Sequence, residues 1–308
     1  MISLESNSVD LQTRLEAAFS SSLPLSLATE PHLSGALWQT LGRPGSLVRA
    51  RMVYEIGRAH NLPEGRSINL AVAIEYFHTA SLLFDDLPCM DDASERRGEP
   101  CVHQVHGEAA AVLAALGLVN RAYALLWRGL VGSPADAQAR ATAYTERCLG
   151  VYGLLNGQSE DLHYRQLPAA RQSPQKVATG KTVSLIRLSL VLPAILGGAG
   201  ASEVCWLERL AAFWGLSYQI LDDLKDVFQQ PAQTGKTAAR DELLQRPNTA
   251  LVMGPDQSLL RLERLLNLAD RVLDRLVARL PDLSFLEELR RRFRQEIIGI
   301  KASQPSRI

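Results

Sequence analysis

Residues 71–92 read AVAIEYFHTASLLFDDLPCMDD. Ala71 to Phe84 are nearly all apolar, and the run closes on Asp85, Asp86, Asp91 and Asp92. Pro88 lacks an amide proton and fits a helix interior poorly, so the later aspartates are expected to turn back toward the first pair. Four acids in eight residues repel one another unless they are solvated or share cations. Oxygen-only ligands suit a hard ion such as magnesium.

A second acidic set lies in YQILDDLKDV, residues 218–227, inside another strongly apolar run. Asp222 and Asp226 are four apart and share a helix face, with Asp223 beside them and Gln219 three residues before Asp222. A polar stripe on an apolar helix is expected to line a cavity. A single Asp-Asp pair ordinarily caps a helix or faces solvent. Two such sets, each closing or interrupting an apolar helix, point instead to magnesium bridging carboxylates and substrate phosphates across a common cleft.

Outward from these sets, apolar residues recur at helical steps. Leu262, Leu265, Leu266, Ala269, Val272, Leu273, Leu276 and Leu280 form one such stripe. Comparable runs cover about 9–21, 47–60, 66–87, 104–131, 136–165, 176–196, 202–228 and 284–301. Strand-like alternation is scarce, and turn chemistry falls in short connectors such as Gly132-Ser-Pro134 and Gly254-Pro255. The reading is an all-α chain, residues 1–308 forming one large helical bundle around a central cavity.

Lys+Arg and Asp+Glu each total 33, so the chain lacks the basic excess of a nucleic-acid binder. Cys89, Cys101, Cys148 and Cys205 have no zinc-like spacing and suit a reducing cytoplasm. The first residues, MISLESNSVDLQ, do not read as a signal peptide. The most apolar long stretch, Val183 to Ala201, contains Arg187 and Pro193, so no transmembrane segment is expected.

The stretch FHTASLLFDDLPCMDDASERRGEPCVH resembles the first aspartate-rich region of the trans-prenyl diphosphate synthases, closest to the bacterial geranylgeranyl diphosphate synthase type. The resemblance spans about residues 40–255. Its further landmarks are Gly45 to Arg51, GQSED at 157–161, Lys181-Thr182, Tyr218 to Val227 and Gly235-Lys236-Thr237. It implies the isoprenoid synthase fold and a reaction between isopentenyl diphosphate and an allylic diphosphate (dimethylallyl, geranyl or farnesyl). Asp85, Asp86, Asp91, Asp222, Asp223 and Asp226 would bind three magnesium ions. Arg96, Lys181 and Lys236 would contact the allylic diphosphate, and Arg49, His78 and Arg97 the isopentenyl diphosphate. Thr182 and Gln219 would flank the growing cation. Lys181 follows Gly180 and is read as opening an apolar helix, where phosphate would also meet free amides. The released diphosphate would take the proton, and a homodimer is implied.

One position departs from the family pattern. Ser46 stands where a lysine is expected in Gly45-Ser-Leu-Val-Arg49, with Arg43 and Arg51 nearby. A charge-assisted bond contributes on the order of 1.5–3 kcal/mol, so its loss leaves room for a non-catalytic or altered-acceptor partner subunit. Arg246 keeps the positive charge that follows the Gly-Lys element, and Arg290, Arg291, Arg292 and Arg294 read as a solvated helix face. A terpene cyclase fits less well, because the second set is DDLKD rather than an Asn/Asp-x-x-Ser/Thr-x-x-x-Glu pattern. Ala80 and Ser81, five and four residues before Asp85, are small, which by resemblance favours a product of about twenty carbons over one of fifteen.

Overall fold

The computed structural model describes residues 2–228, 244 and 246–302, with side chains from residue 10 onward. The chain divides into two compact units, Met1–Ala139 with Leu196–Gly198, and Arg140–Ile195 with Ala199–Ile308.

The first unit is built from α1 (Ile2–Ser21), α2 (Pro31–Leu41), α3 (Val48–Ala59), α4 (Glu64–Asp85), a hairpin of β1 (Glu95–Arg96) and β2 (Glu99–Pro100), α5 (Val102–His106) and α6 (Glu108–Leu130). Helix α4 is its core. Leu70, Ala71, Ala73, Ile74 and Tyr76 are fully buried because α1, α3 and α6 all pack on it. The Tyr76 hydroxyl donates to the Phe19 carbonyl at 2.6 Å, and the two rings meet edge to face at 5.1 Å, which fixes α1 on α4. The bond satisfies the buried Tyr76 hydroxyl, and Arg14 of α1 also pairs with Glu64 at the start of α4.

The second unit holds α7 (Ala135–Leu149, entered from the first unit), α8 (Leu154–Leu162), α9 (Pro174–Lys181), α10 (Val183–Leu196), α11 (Ala201–Phe228), α12 (Thr249–Met253), α13 (Pro255–Arg279) and α14 (Leu286–Ala302). Helix α11 packs along α13, whose buried side is the stripe read from sequence. Leu265 and Leu280, at the margins of that stripe, are half-buried. Trp214 against Phe293 and the Lys225–Glu296 ion pair join α11 to α14.

Two expectations change. Helices α4 and α6 are each long and apolar enough to cross a membrane by length and composition, so the reading that no stretch reaches that mark is corrected. The other charges of these helices lie near their ends, and the one in the middle, Glu75 or Arg121, does not offset its apolar neighbours. The scarcity of strands holds, but a hairpin forms at residues 95–100, with Arg97 (φ 57°) and Gly98 (φ 77°) as its two left-handed turn residues.

Candidate active site

In the first unit, α4 ends at Asp85 and the chain folds back as Pro88 requires. The Asp91 amide donates to the Asp85 carbonyl at 2.9 Å, and the Ala93 amide to the Asp86 carbonyl at 3.1 Å. The turn therefore gathers Asp85 and Asp91 into one partly exposed acidic end. Asp86 is set apart from them by its burial and its partner. It is 3% exposed, and the Arg96 guanidinium grips both its oxygens, Nε at 2.9 and 2.8 Å and Nη2 at 2.6 Å. Burial alone would weaken the Arg96 charge. Hydrogen bonding and attraction from Asp86, with Asp85 behind it, outweigh that and hold the guanidinium above its ordinary value.

A cationic wall adjoins this end. Arg49 is the second residue of α3, and its Nε is buried without a hydrogen-bond partner among the described residues. The Arg97 guanidinium lies over Gly45, where an added Cβ would stand 2.3 Å from Nη1, and it donates to the Arg43 carbonyl at 3.4 Å. Gly45 (φ 72°) is thus required twice, for its backbone angle and for the arginine above it. Desolvation, then the charges of Arg49, Arg97 and Arg96, hold the half-buried His78 imidazole well below its usual value. His78 therefore serves here as a neutral group. Ser46 is exposed, and Arg43 is engaged with Glu99 at 3.3 Å on the surface. Ala80 is 1% exposed, and Ser81 Oγ donates to the His78 carbonyl at 2.8 Å within α4.

In the second unit, the expectation that Lys181 opens a helix is corrected: it is the last residue of α9. The reason is a backbone crossing. Gly157 and Gly180 meet so closely that a Cβ on Gly157 would lie 2.2 Å from the Lys181 nitrogen, and the chain bends 43° before α10 begins. The crossing delivers the Lys181 ammonium to Asp161 at 2.6 Å. Asp161, the last residue of GQSED, is a site partner that sequence reading missed. Its signal was the GQSED landmark, which marked the stretch without giving Asp161 a role.

On α11, Asp222 is exposed and Asp226 half-exposed, while Asp223 is fully buried. Asp223 accepts the Gln219 side-chain amide at 2.9 Å and the Thr249 backbone amide at 2.7 Å, and its carbonyl accepts Asn248 Nδ2 at 3.3 Å. Gln219 Oε1 in turn accepts the Thr182 hydroxyl at 2.8 Å. The polar stripe is real, but it pairs Gln219 with Asp223 instead of with Asp222. Lys236, with Gly235 and Thr237, lies outside the described residues. Arg246 is half-buried. The basic run braces α14 on α13, Arg290 to Asp274 at 2.6 Å and Arg294 to Asp270 at 2.5 Å, as a surface face would.

Among the described residues, no three His, Cys, Asp or Glu side chains close on a point as a metal cage would. Magnesium does not ask for one. It takes one or two carboxylates and completes its octahedron with water and phosphate. The oxygen-only pair Asp85 and Asp91 fits that habit, as does Asp222 with Asp226.

The sequence profile of the polyprenyl synthetase family matches residues 30–266. The chain belongs to that family. Among relatives, it is 33% identical over 256 residues to geranylgeranyl pyrophosphate synthase 3, chloroplastic, of Arabidopsis thaliana, covering 79% of this chain and 68% of that one. It is 34% identical over 189 residues to a chloroplastic geranylgeranyl pyrophosphate synthase of Catharanthus roseus, covering 61% of this chain. That match spans 53% of the relative, so the polyprenyl synthetase chain aligns with little more than half of some of its plant relatives. In fold, it is similar to a geranyltransferase from Helicobacter pylori complexed with magnesium and isoprenyl diphosphate (TM-score 0.80, 24% identity, 92% and 95% of the two chains). It is also similar to a geranyltransferase from Legionella pneumophila (TM-score 0.79, 23% identity, 95% and 98%). The all-helical isoprenoid synthase fold of the family is therefore the fold of this chain.

Proposed function

We propose that this polyprenyl synthetase is a chain-elongating prenyltransferase. It condenses isopentenyl diphosphate with an allylic diphosphate (dimethylallyl, geranyl or farnesyl), gives geranylgeranyl or farnesyl diphosphate, and releases diphosphate. The observation that carries the reading is the first unit's pairing of an acidic end, Asp85 and Asp91, with a wall of Arg49, Arg96 and Arg97 around a neutral His78. One part suits a metal-bound diphosphate and the other a second diphosphate.

Asp85, Asp91, Asp222 and Asp226 would hold magnesium, three ions per site by family resemblance, and both units would serve one synthase domain. The ions supply neutralisation of charge on the departing diphosphate. Arg96, fixed by Asp86, adds a positioned cation to the same end, and Lys181 does so in its own unit. The guanidinium of Arg97 and that of Arg49 suit the isopentenyl diphosphate, because arginine forks onto phosphate oxygens. Thr182 and Gln219, tied together and to Asp223, present fixed dipoles to the growing cation. No side-chain nucleophile is needed.

Incubation with magnesium, labelled isopentenyl diphosphate and each allylic primer tests this. Elongated diphosphates are expected; cyclised hydrocarbons from one substrate, or inertness without a second protein, would overturn it. The buried methyl of Ala80 on α4 also gives a length prediction. Ala80→Tyr adds a phenol where no space is left, and is expected to shift product from about twenty to about fifteen carbons if α4 floors the tunnel. Chromatography of dephosphorylated products reads the outcome, and an unchanged length rules out gating at this position.

We propose a homodimer covered through α6, whose Leu113, Leu116, Tyr123 and Trp127 form an exposed stripe at helical spacing. Sedimentation of the full chain at the monomer mass would reject it. A cytoplasmic setting is proposed from the four cysteines, all thiols.

A further inference from the structure

We propose that Glu75 is a positioning residue for the isopentenyl diphosphate site, capping α3 from the neighbouring helix α4 and thereby fixing Arg49. The inference rests on the reading of Arg49 and Arg97 given above. Helix α3 starts after Leu47, a left-handed residue (φ 48°) whose side chain can accept no hydrogen bond. The first amides of any helix lack partners within it, and here they point toward α4. Glu75 Oε1 accepts the Ala50 amide at 2.9 Å, and the Arg49 amide beside it helps to favour the charged carboxylate. Glu75 thus does from twenty-five residues away what an Asn, Asp or Ser at position 47 would do locally.

The placement is specific. Glu75 is 3% exposed, and burying a carboxylate is unfavourable unless hydrogen bonds and charges compensate it. The two amides, the positive end of the α3 dipole, and the charges of Arg49 and Arg97 provide that compensation, against burial that pushes the carboxyl upward. Among the described residues nothing bonds Arg49 Nε, so the first turn of α3 decides where its guanidinium goes. His78, one turn along α4 from Glu75, shares the same side of the helix. With serine at position 46, the cationic wall depends on Arg49 and Arg97, and an error in placing Arg49 is not covered by a neighbouring lysine.

Steady-state kinetics on the full-length wild type, Glu75→Ala and Glu75→Gln test this, with isopentenyl and geranyl diphosphates varied in turn. Glu75→Ala is expected to raise KM for isopentenyl diphosphate ~10-fold or more, since small misplacement of a positioning group is costly, and to leave KM for geranyl diphosphate within about twofold. Glu75→Gln keeps an oxygen for the Ala50 amide and is expected to fall between. A purely structural role would move both KM values together, or neither, and either result overturns the proposal. If Glu75→Ala does not fold by circular dichroism, the same split in Glu75→Gln decides. If the wild type condenses nothing, the functional reading fails by itself. Calorimetry with isopentenyl diphosphate then still reads Glu75, and equal affinity in wild type and Glu75→Gln would reject its role.

Discussion

Asp85→Asn and Asp222→Asn are each expected to lower kcat/KM by about 10²–10³-fold, the scale on which one preorganised charge at a departing anion counts. Both substitutions keep the shape of the side chain and remove the charge that a hard cation requires, so the magnesium concentration for half-maximal rate is expected to rise with them. Asp223→Asn behaves differently. Asp223 is sealed inside its unit, where one oxygen takes the Gln219 amide and the other the Thr249 amide. An asparagine there offers one oxygen and one amide, so one of those donors faces another donor. A buried group left unsatisfied costs about 1–3 kcal/mol, which denaturant unfolding would show. The magnesium midpoint of Asp223→Asn is expected to stay where the wild type has it. Titrating magnesium against rate for the three variants separates the roles. A midpoint for Asp223→Asn displaced as far as that of Asp222→Asn would return Asp223 to the metal and remove its assignment as the residue that orients Gln219 and Thr182.

That division of labour was only partly legible in the sequence. Acid density located both sets, because four or three aspartates close together have few structural explanations. It could not rank their members, since burial depends on what packs against the helix. Helix α13 was read nearly residue by residue from its stripe, a purely local pattern. The run at 136–165 was not: α7 stops at Leu149 and α8 starts at Leu154, because Gly153 sits where a Cβ would stand 2.2 Å from the Cys148 carbonyl. Helix α2 was missed although Pro31 in its first turn and Glu30, which accepts the Leu33 amide, are ordinary start signals. Two-residue strands are too short to show alternation, so the hairpin that carries Arg96 gave no warning. Glu75 and Asp161 were invisible for another reason. Glu75, alone in an apolar stretch, and Asp161, beside Glu160, look like any tolerated polar residues until their partners, twenty or more positions away, are in place.

Arg96→Ala is expected to cost about 3–5 kcal/mol of stability, the largest effect on folding expected of any residue in the site. The reason lies less in the lost attraction than in what remains. The Asp86 carboxyl, with a side chain only 5% exposed, would be left with none of the three Arg96 contacts to offset its lost hydration. Activity falls with it, because the hairpin that supports Arg97 loses its tie to the end of α4. The two consequences separate in a double variant. Adding Asp86→Asn to Arg96→Ala removes the stranded charge and is expected to restore much of the stability, while the missing cation keeps turnover low. Arg96→Lys retains a charge but cannot fork across both carboxylate oxygens, so it should rescue turnover in part and stability incompletely. Denaturant midpoints and kcat for the four proteins test the scheme. An Arg96→Ala chain within about 1 kcal/mol of wild type would mean that Asp86 reaches water as surface pairs do. In that case the first acidic set would owe its geometry to the Asp85–Asp91 turn alone.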